Sequence, residues 1–388
     1  MVSNNDMRRA SLVALRRGSL RRGSVRRASL VPASTSLDLP WDILDRLLIP
    51  ILCCHAAAII LSCLLNSLHI SDVSTLTLFA WFALSTGGAI LFYHHLKVSA
   101  SGKAILITGC ESPLAWCLAR KLDEIGFTIF AGFTKRTGCA DADLLKEESS
   151  GRTKILQLDV TSETQMLEAS LYITEHLPDG TSGLWAVVHC ATWVALGELE
   201  WIPFAVLRKS IDVNLLGAAR LTQIFLPLVR RTNGRIVFVS SALARVPAPV
   251  RGAQCATQAG IEGLATCLRQ ELRPRGVDVS IVAAGEFASG TAWLSEATML
   301  EQARQMWSQL TAEQKDNYGE EYFERALRSL EKYTEKEADL GPTIRCLVDA
   351  LCRTCPLPRY TPVSTGEKFQ CFVADHLPRC FYDAIYGK

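Results

Sequence analysis

Short apolar runs recur through residues 100–388 at spacings that leave room for a helix between each pair. They are KAILITG (103–109), FTIFAGF (127–133), KILQLDVTS (154–162), LWAVVHC (184–190), GRIVFVSS (234–241) and VDVSIVAAG (277–285). Amphipathic stretches such as LAWCLARKLDEIG and FAVLRKSIDVNLLGAARLTQIFLPLVRR lie between them. Strands that alternate with helices bury both faces of a sheet, which predicts an α/β fold with a doubly wound parallel sheet. In such folds a ligand sits beyond the carboxyl ends of the strands. The region has no internal repeat.

Residues 41–97 obey a different rule. Leu47–Leu65 (LLIPILCCHAAAIILSCLL) carries no charge, and neither does Leu76–Tyr93. A helix of the first length reaches about 28 Å, near the thickness of a bilayer core. Pro50 reads as lying near the helix start, where proline is tolerated, and His55 as a neutral passenger. Arginines precede the first run, Lys97 and Lys103 follow the second, and the turn between them has no Lys or Arg. The positive-inside rule then predicts a helical hairpin with tail and main domain both cytosolic. One spanning helix plus one interfacial helix is the alternative, and it would place the main domain across the membrane. The hydrophobic content of 49% and the positive mean hydropathy agree with membrane segments.

Residues 1–40 form an Arg/Ser-rich tail expected to be irregular. RRAS, RRGS, RRGS and RRAS end at Ser11, Ser19, Ser24 and Ser29, each followed by Leu or Val. Paired guanidinium groups before a serine suit the acidic groove of a basophilic kinase. Two other readings remain open: arginines held against anionic lipid, or a mitochondrial transit peptide. A net charge of +2 argues against nucleic acid as a partner. The 14 cysteines have no regular spacing, as expected in a reducing compartment. One CxxC (Cys352–Cys355) without a second pair or histidine is a weak metal signal, and no metal is expected.

At the residues of the main domain the chain resembles the short-chain dehydrogenase/reductase family. Within it, the likeness is to the membrane-associated branch of 3-hydroxybutyrate, retinol and 17-beta-hydroxysteroid dehydrogenases. TGCESPLA (108–115), LDVTS (158–162), LWAVVHCA (184–191), GELEW (197–201), DVNLLGAARLT (212–222) and GRIVFVSS carry the resemblance. MW (306–307), YGEEYF (318–323), PRY (358–360) and HLP (376–378) look like that branch's substrate-side and C-terminal segments. The resemblance implies a Rossmann-like sheet behind the membrane hairpin and a nicotinamide nucleotide as cofactor.

It also implies where the site departs from the family. In T-G-x-x-x-G-x-G, Thr108 and Gly109 remain, but Pro113 and Ala115 stand at the later glycines. Proline removes an N–H donor and adds bulk where a diphosphate would approach. Asp159 and Val160 match the adenine contact, and Ala191 is what survives of N-N-A-G in His189–Thr192. Lys135 and Arg136 either meet a second phosphate or are plainly solvated. Asn214 and Ser241 match the catalytic set, whereas Gln254 stands at the tyrosine position and Gln258 at the lysine position. A carboxamide cannot exchange the proton that a tyrosine exchanges, and lost acid–base catalysis costs typically ~10²–10⁴ in rate. The loop after the last of these strands reads Ala284–Gly285 in place of P-G.

The reading is a membrane-anchored dehydrogenase fold released from catalysis, a scaffold, partner or ligand sensor that binds NAD(P) weakly or not at all. The alternative is an NAD(P)-dependent oxidoreductase on an apolar alcohol or ketone such as a steroid, retinoid or hydroxybutyrate. The expected partners are membrane lipid, other copies or family members, an apolar small molecule, and the kinase. The endoplasmic reticulum is the expected compartment, with a mitochondrial membrane as the alternative.

Overall fold

A computed structural model describes residues 41–69, 73–285, 296–334 and 340–386. Ser11, Ser19, Ser24 and Ser29 lie outside these residues. Helices α1 (Trp41–Ser67) and α2 (Thr75–His95) form a hairpin. Each contains 19 residues apolar enough to cross a membrane, Ile49–Ser67 and Thr75–Tyr93. Because α1 begins at Trp41, Pro50 lies in its interior rather than near its start. Polar side chains hold the pair together where helix backbones leave no other donor. Cys54 Sγ meets Thr86 Oγ1 at 3.3 Å, Thr75 Oγ1 donates to Ser62 Oγ at 3.1 Å, and Ser62 donates to the Val73 carbonyl at 3.0 Å. His55 packs edge-on against Phe79. Leu52, Ile60, Trp81 and Leu84 point outward and are exposed.

The main domain alternates strand and helix as the apolar runs predict. In order come β1 (Ala104–Ile107), α3 (Pro113–Ile125), β2 (Thr128–Phe133), α4 (Ala140–Glu148), β3 (Thr153–Gln157), α5 (Glu163–Glu175) and β4 (Ala186–His189). Then follow α6 (Phe204–Ile211), a π-helical turn (Asp212–Gly217), α7 (Ala218–Arg230), β5 (Arg235–Ser241), α8 (Gly252–Leu272) and β6 (Asp278–Ala284). Beyond lie α9 (Glu296–Ser308), α10 (Ala312–Tyr318), α11 (Glu320–Thr334), α12 (Gly341–Cys352), β7 (Arg359–Tyr360), α13 (Thr365–His376) and α14 (Arg379–Tyr386).

The strands form one parallel sheet in the order β3-β2-β1-β4-β5-β6-β7. The order reverses direction between β1 and β4, so the crevice for a ligand opens beyond their carboxyl ends. Strand β7 is two residues long, paired to Ile281 and Val282; PRY has no apolar period to announce it. One sheet face packs on α3 and α12 through Leu118, Leu122, Leu347 and Leu351. The other packs on α5, α7 and α8 through Ile173, Leu221, Phe225 and Ile261. The hairpin joins the domain near the amino ends of the strands, away from the crevice: Val98 N donates to the Cys352 carbonyl at 2.7 Å, and Thr354 N to the Leu96 carbonyl at 2.9 Å, while Arg235 at the start of β5 donates to the Ala350 and Arg353 carbonyls.

Candidate functional site

The first β–α turn is locked to the loop after β4. Thr108 Oγ1 accepts from the N–H groups of Cys190 (3.2 Å) and Ala191 (3.1 Å). Gly109 has φ +70°, and a Cβ there would sit 2.7 Å from Ala191 Cα. Its glycine is therefore required by the close passage of the two backbones. Helix α3 starts on Pro113 with Ser112 as its cap, Ser112 Oγ accepting from Ala115 N at 3.3 Å. This turn fits a diphosphate poorly. Pro113 has no N–H to give, and the N–H of Ala115 is already engaged by a side chain.

Asn214 sits in the π-helical turn, nearly fully buried. Its Nδ2 donates to the Trp193 carbonyl (2.8 Å), Thr257 Oγ1 (3.2 Å) and Ser210 Oγ (3.3 Å). Its Oδ1 accepts from Trp193 N (2.7 Å) and Thr192 Oγ1 (3.4 Å). The side chain thus clamps the 192–193 backbone, where the resemblance implies a water relay. π-turns recur at functional positions because they re-aim a side chain out of helical register. Here the turn is fitted by Gly217, whose Cβ would lie 2.7 Å from the Val160 carbonyl. Asp159 folds the same neighbourhood, its Oδ1 accepting from Thr161 N (2.8 Å) and Thr161 Oγ1 (2.7 Å).

Ser241 ends β5, half-buried, and its Oγ accepts from Leu243 N at 3.3 Å. Helix α8 presents a buried stripe that starts with two residues four apart, Gln254 (7% exposed) and Gln258 (6%), and continues with Ile261 and Ala265. The upper half of the stripe is carboxamide and the lower half hydrocarbon. Both Oε1 atoms are buried, with no donor among the described residues. Leaving a buried acceptor unmade costs about 1–3 kcal/mol each. Thr257, between them, is engaged elsewhere, donating to the Gln254 carbonyl at 3.1 Å. No group at these two positions titrates in the physiological range, so neither can act as the acid or the cation of the family's set.

His189 does not join this site. Its ring stacks on Phe238 at 4.6 Å, and Nε2 meets Thr222 Oγ1 at 3.0 Å, inside the sheet–helix core. Burial pushes its pKa down to about 3, keeping the imidazole neutral. The departures at the site are therefore Pro113, Thr192, Gln254 and Gln258. Ala284 is buried at the end of β6, and Lys135 and Arg136 are exposed beyond β2. Burial likewise pushes the Cys190 thiol up to about 12, so it is inert.

Two features escape any reading by spacing. One is Glu262, which accepts from Ser240 Oγ (3.0 Å), Arg245 Nε (3.2 Å) and Arg359 Nη1 (2.6 Å), while Arg245 also pairs with Asp375. This network ties α13 and β7 to the carboxyl end of β5. The other is an aromatic cap in which GELEW, MW and YGEEYF converge. Trp201 meets Trp307, Tyr318, Tyr322 and Phe323 with centroids 5.2–5.9 Å apart. Tyr318 and Tyr322 donate to Glu200 and Glu198 at 2.7 and 2.6 Å. The hydrogen bond to Glu200 pushes the Tyr318 pKa up to about 12. These residues lie more than a hundred positions apart in the chain, so their meeting is visible only in three dimensions.

A sequence profile for short chain dehydrogenase matches residues 103–299. Mouse (Mus musculus) mitochondrial D-beta-hydroxybutyrate dehydrogenase is 36% identical over 290 residues, covering 74% of this chain and 84% of that protein. Rat (Rattus norvegicus) estradiol 17-beta-dehydrogenase 2 is 34% identical, covering 70% and 71%. Mouse retinol dehydrogenase 16 is 33% identical, covering 73% and 87%. The crystal structure of a short-chain dehydrogenase from Streptomyces avermitilis superposes with a TM-score of 0.57 at 22% identity, over 74% of this chain and 96% of that one, a likeness of fold. Profile, relatives and sheet order agree, and the chain belongs to the short chain dehydrogenase family.

Proposed function

We propose that this is a membrane-anchored short chain dehydrogenase whose site holds an apolar hydroxyl- or carbonyl-bearing ligand without exchanging a proton with it. The observation that carries this reading is the pair of buried carboxamides, Gln254 and Gln258, on the face of α8 where the family keeps its proton donor and its cation. Ser241 is retained at the end of β5, at the position where the family holds the substrate oxygen. NAD(P) binds weakly in this reading, because Pro113 leaves the diphosphate turn short of donors. The cofactor would supply the hydride acceptor; neither Gln254 nor Gln258 could move the accompanying proton.

A second reading is an oxidoreductase acting on an apolar alcohol or ketone. The relatives favour it, since those proteins are named for hydroxybutyrate, estradiol and retinol. The deciding experiment follows nicotinamide absorbance with the full chain in lipid and a panel of those alcohols and their ketones. No turnover above a Ser241→Ala control is expected. Turnover above it establishes the second reading. Gln254→Tyr with Gln258→Lys is expected to be insufficient, and Pro113→Gly with Thr192→Gly to be needed as well.

The hairpin anchors the chain in a membrane of the endoplasmic reticulum or mitochondrion, with tail and main domain on one side. Anionic lipid, a basophilic kinase acting on the tail, and further copies or family members are the partners this reading names.

A further inference from the structure

Resting on the reading above for the membrane anchor alone, we propose that the amino-end face of the sheet docks on the anionic headgroups of the bilayer that the hairpin enters. The apolar span of α2 ends at Tyr93, and Leu96 is already bonded into the domain, its carbonyl accepting from Thr354 N at 2.9 Å. Three residues of chain reach at most about 10 Å. The turn at Thr354 is therefore held within about one Debye length, ~8–10 Å, of the membrane surface, where headgroup charge is still felt.

The turns at this end are tied into one surface. Arg235 donates to the Ala350 and Arg353 carbonyls at 2.7 and 2.9 Å, which joins the start of β5 to the turn before β7. Arg231 Nη1 donates to the Ser182 carbonyl at 3.4 Å, and Thr181 Oγ1 to the Gly102 carbonyl, which joins the turns before β5, β4 and β1. A Cβ on Gly276 would lie 3.0 Å from Asn233 Oδ1, so the turns before β6 and β5 touch. On this surface Lys97, Arg230, Arg231, Arg273 and Arg275 are exposed. Among the described residues none of the five is paired with a carboxylate. Within the same segments stand Asp179, Glu271 and Asp278, fewer than the cations, and Asp278 is already paired with Arg235 at 3.8 Å. The carboxyl ends of the strands carry both signs instead, with Asp143, Glu163 and Glu200 exposed beside Lys135 and Arg136. Guanidinium groups without partners match the phosphate and carboxylate of an anionic headgroup, which they can bind in bidentate fashion. Docked this way, the domain turns its crevice toward water.

The test is hydrogen exchange of the full chain reconstituted in vesicles of phosphatidylcholine, with and without phosphatidylserine. The turns 230–234 and 273–277 are expected to exchange about tenfold slower when phosphatidylserine is present. Salt at about 1 M, where the Debye length falls to about 3 Å, should abolish the slowing in the parent chain, with no variant needed. Arg230→Gln, Arg231→Gln, Arg273→Gln and Arg275→Gln together should abolish it at low salt. Lys135→Gln, Arg136→Gln, Arg325→Gln and Arg328→Gln remove equal charge from exposed positions away from this face and should leave it intact. Equal exchange in the two kinds of vesicle, slowing that resists salt, slowing that survives in the first variant, or slowing lost in the second would overturn the proposal. An alkaline wash of the same vesicles reads the anchor separately. A chain that stays in the pellet without any slowing sinks the docking and leaves the hairpin standing, and a chain that washes off overturns both.

Discussion

Gly109 and His189 show how differently two neighbouring family positions are used. At Gly109 the backbone is left-handed and a side chain would press on the Ala191 backbone. Gly109→Ala should therefore destabilise the domain by about 1–3 kcal/mol through strain alone, and by more if Ala191 cannot shift. Urea unfolding of the variant measures it, and a change within error would mean the two backbones are looser than described. His189 predicts a pH effect. Folded, it titrates near 3 because it is buried; unfolded, it titrates near 6.5. Between those values the unfolded chain binds more protons, so stability from this group is complete above pH 6.5 and is lost as pH falls toward 3. His189→Gln can keep a polar contact to Thr222 and should flatten that acid limb relative to the parent chain. An unchanged slope in paired urea titrations from pH 7 to pH 4 would contradict the assignment.

Among elements, the π-turn at Asp212–Gly217 does most to shape the site. It turns Asn214 onto the Trp193 backbone and brings Gly217 against Val160, joining the loops after β4 and β3. Asn214→Ala would strip a donor and an acceptor from a buried backbone segment, a loss of about 2–3 kcal/mol. Hydrogen exchange should show the Trp193 amide losing its protection first. Protection equal to the parent would mean another group holds that loop. Glu262 plays the matching part for the C-terminal elements. Its carboxylate, about one-tenth exposed, joins Arg245 and Arg359. Arg245 is more than a third exposed, so its pair is partly screened by solvent, but losing the carboxylate shared by both arginines should still loosen α13 in Glu262→Gln. Limited proteolysis, with cleavage moving into Thr365–His376, is the check.

At the scale of the whole molecule, the hairpin and the site lie at opposite ends of the strands. Leu96 and Val98 are bonded to Cys352 and Thr354, near the amino ends of the strands, while Ser241, Gln254 and Asn214 gather at the carboxyl ends. In the tail, eight arginines form the four pairs that precede Ser11, Ser19, Ser24 and Ser29. Four phosphates would add about −6 to −8 in charge, and each arginine near anionic lipid is worth roughly 1 kcal/mol. Phosphorylation by a basophilic kinase should release the tail from phosphatidylserine vesicles, and a variant with all four serines replaced by alanine should not respond. Protease added to sealed vesicles should remove tail and main domain together; protection of one but not the other would replace the hairpin with a single span.

Much of this was legible in one dimension. The period of apolar residues announces the strands and both long helices, because burial of one face or of a whole strand is a local property of the chain. Gln254 and Gln258 were legible too, since four residues on a helix return to the same face. Other features follow from contacts that no local pattern encodes. Strand β7 forms because β6 offers an open edge. His189 leaves the site because Phe238 and Thr222 receive it in the core. Glu262 becomes a hub because chain folding brings arginines from two distant segments to it. The alternation of strand and helix determined which fold could form; only the packed structure decided which groups each polar side chain would meet, since Asn214 reaches both the Trp193 backbone and Thr257 only once the π-turn, the loop after β4 and α8 are packed together.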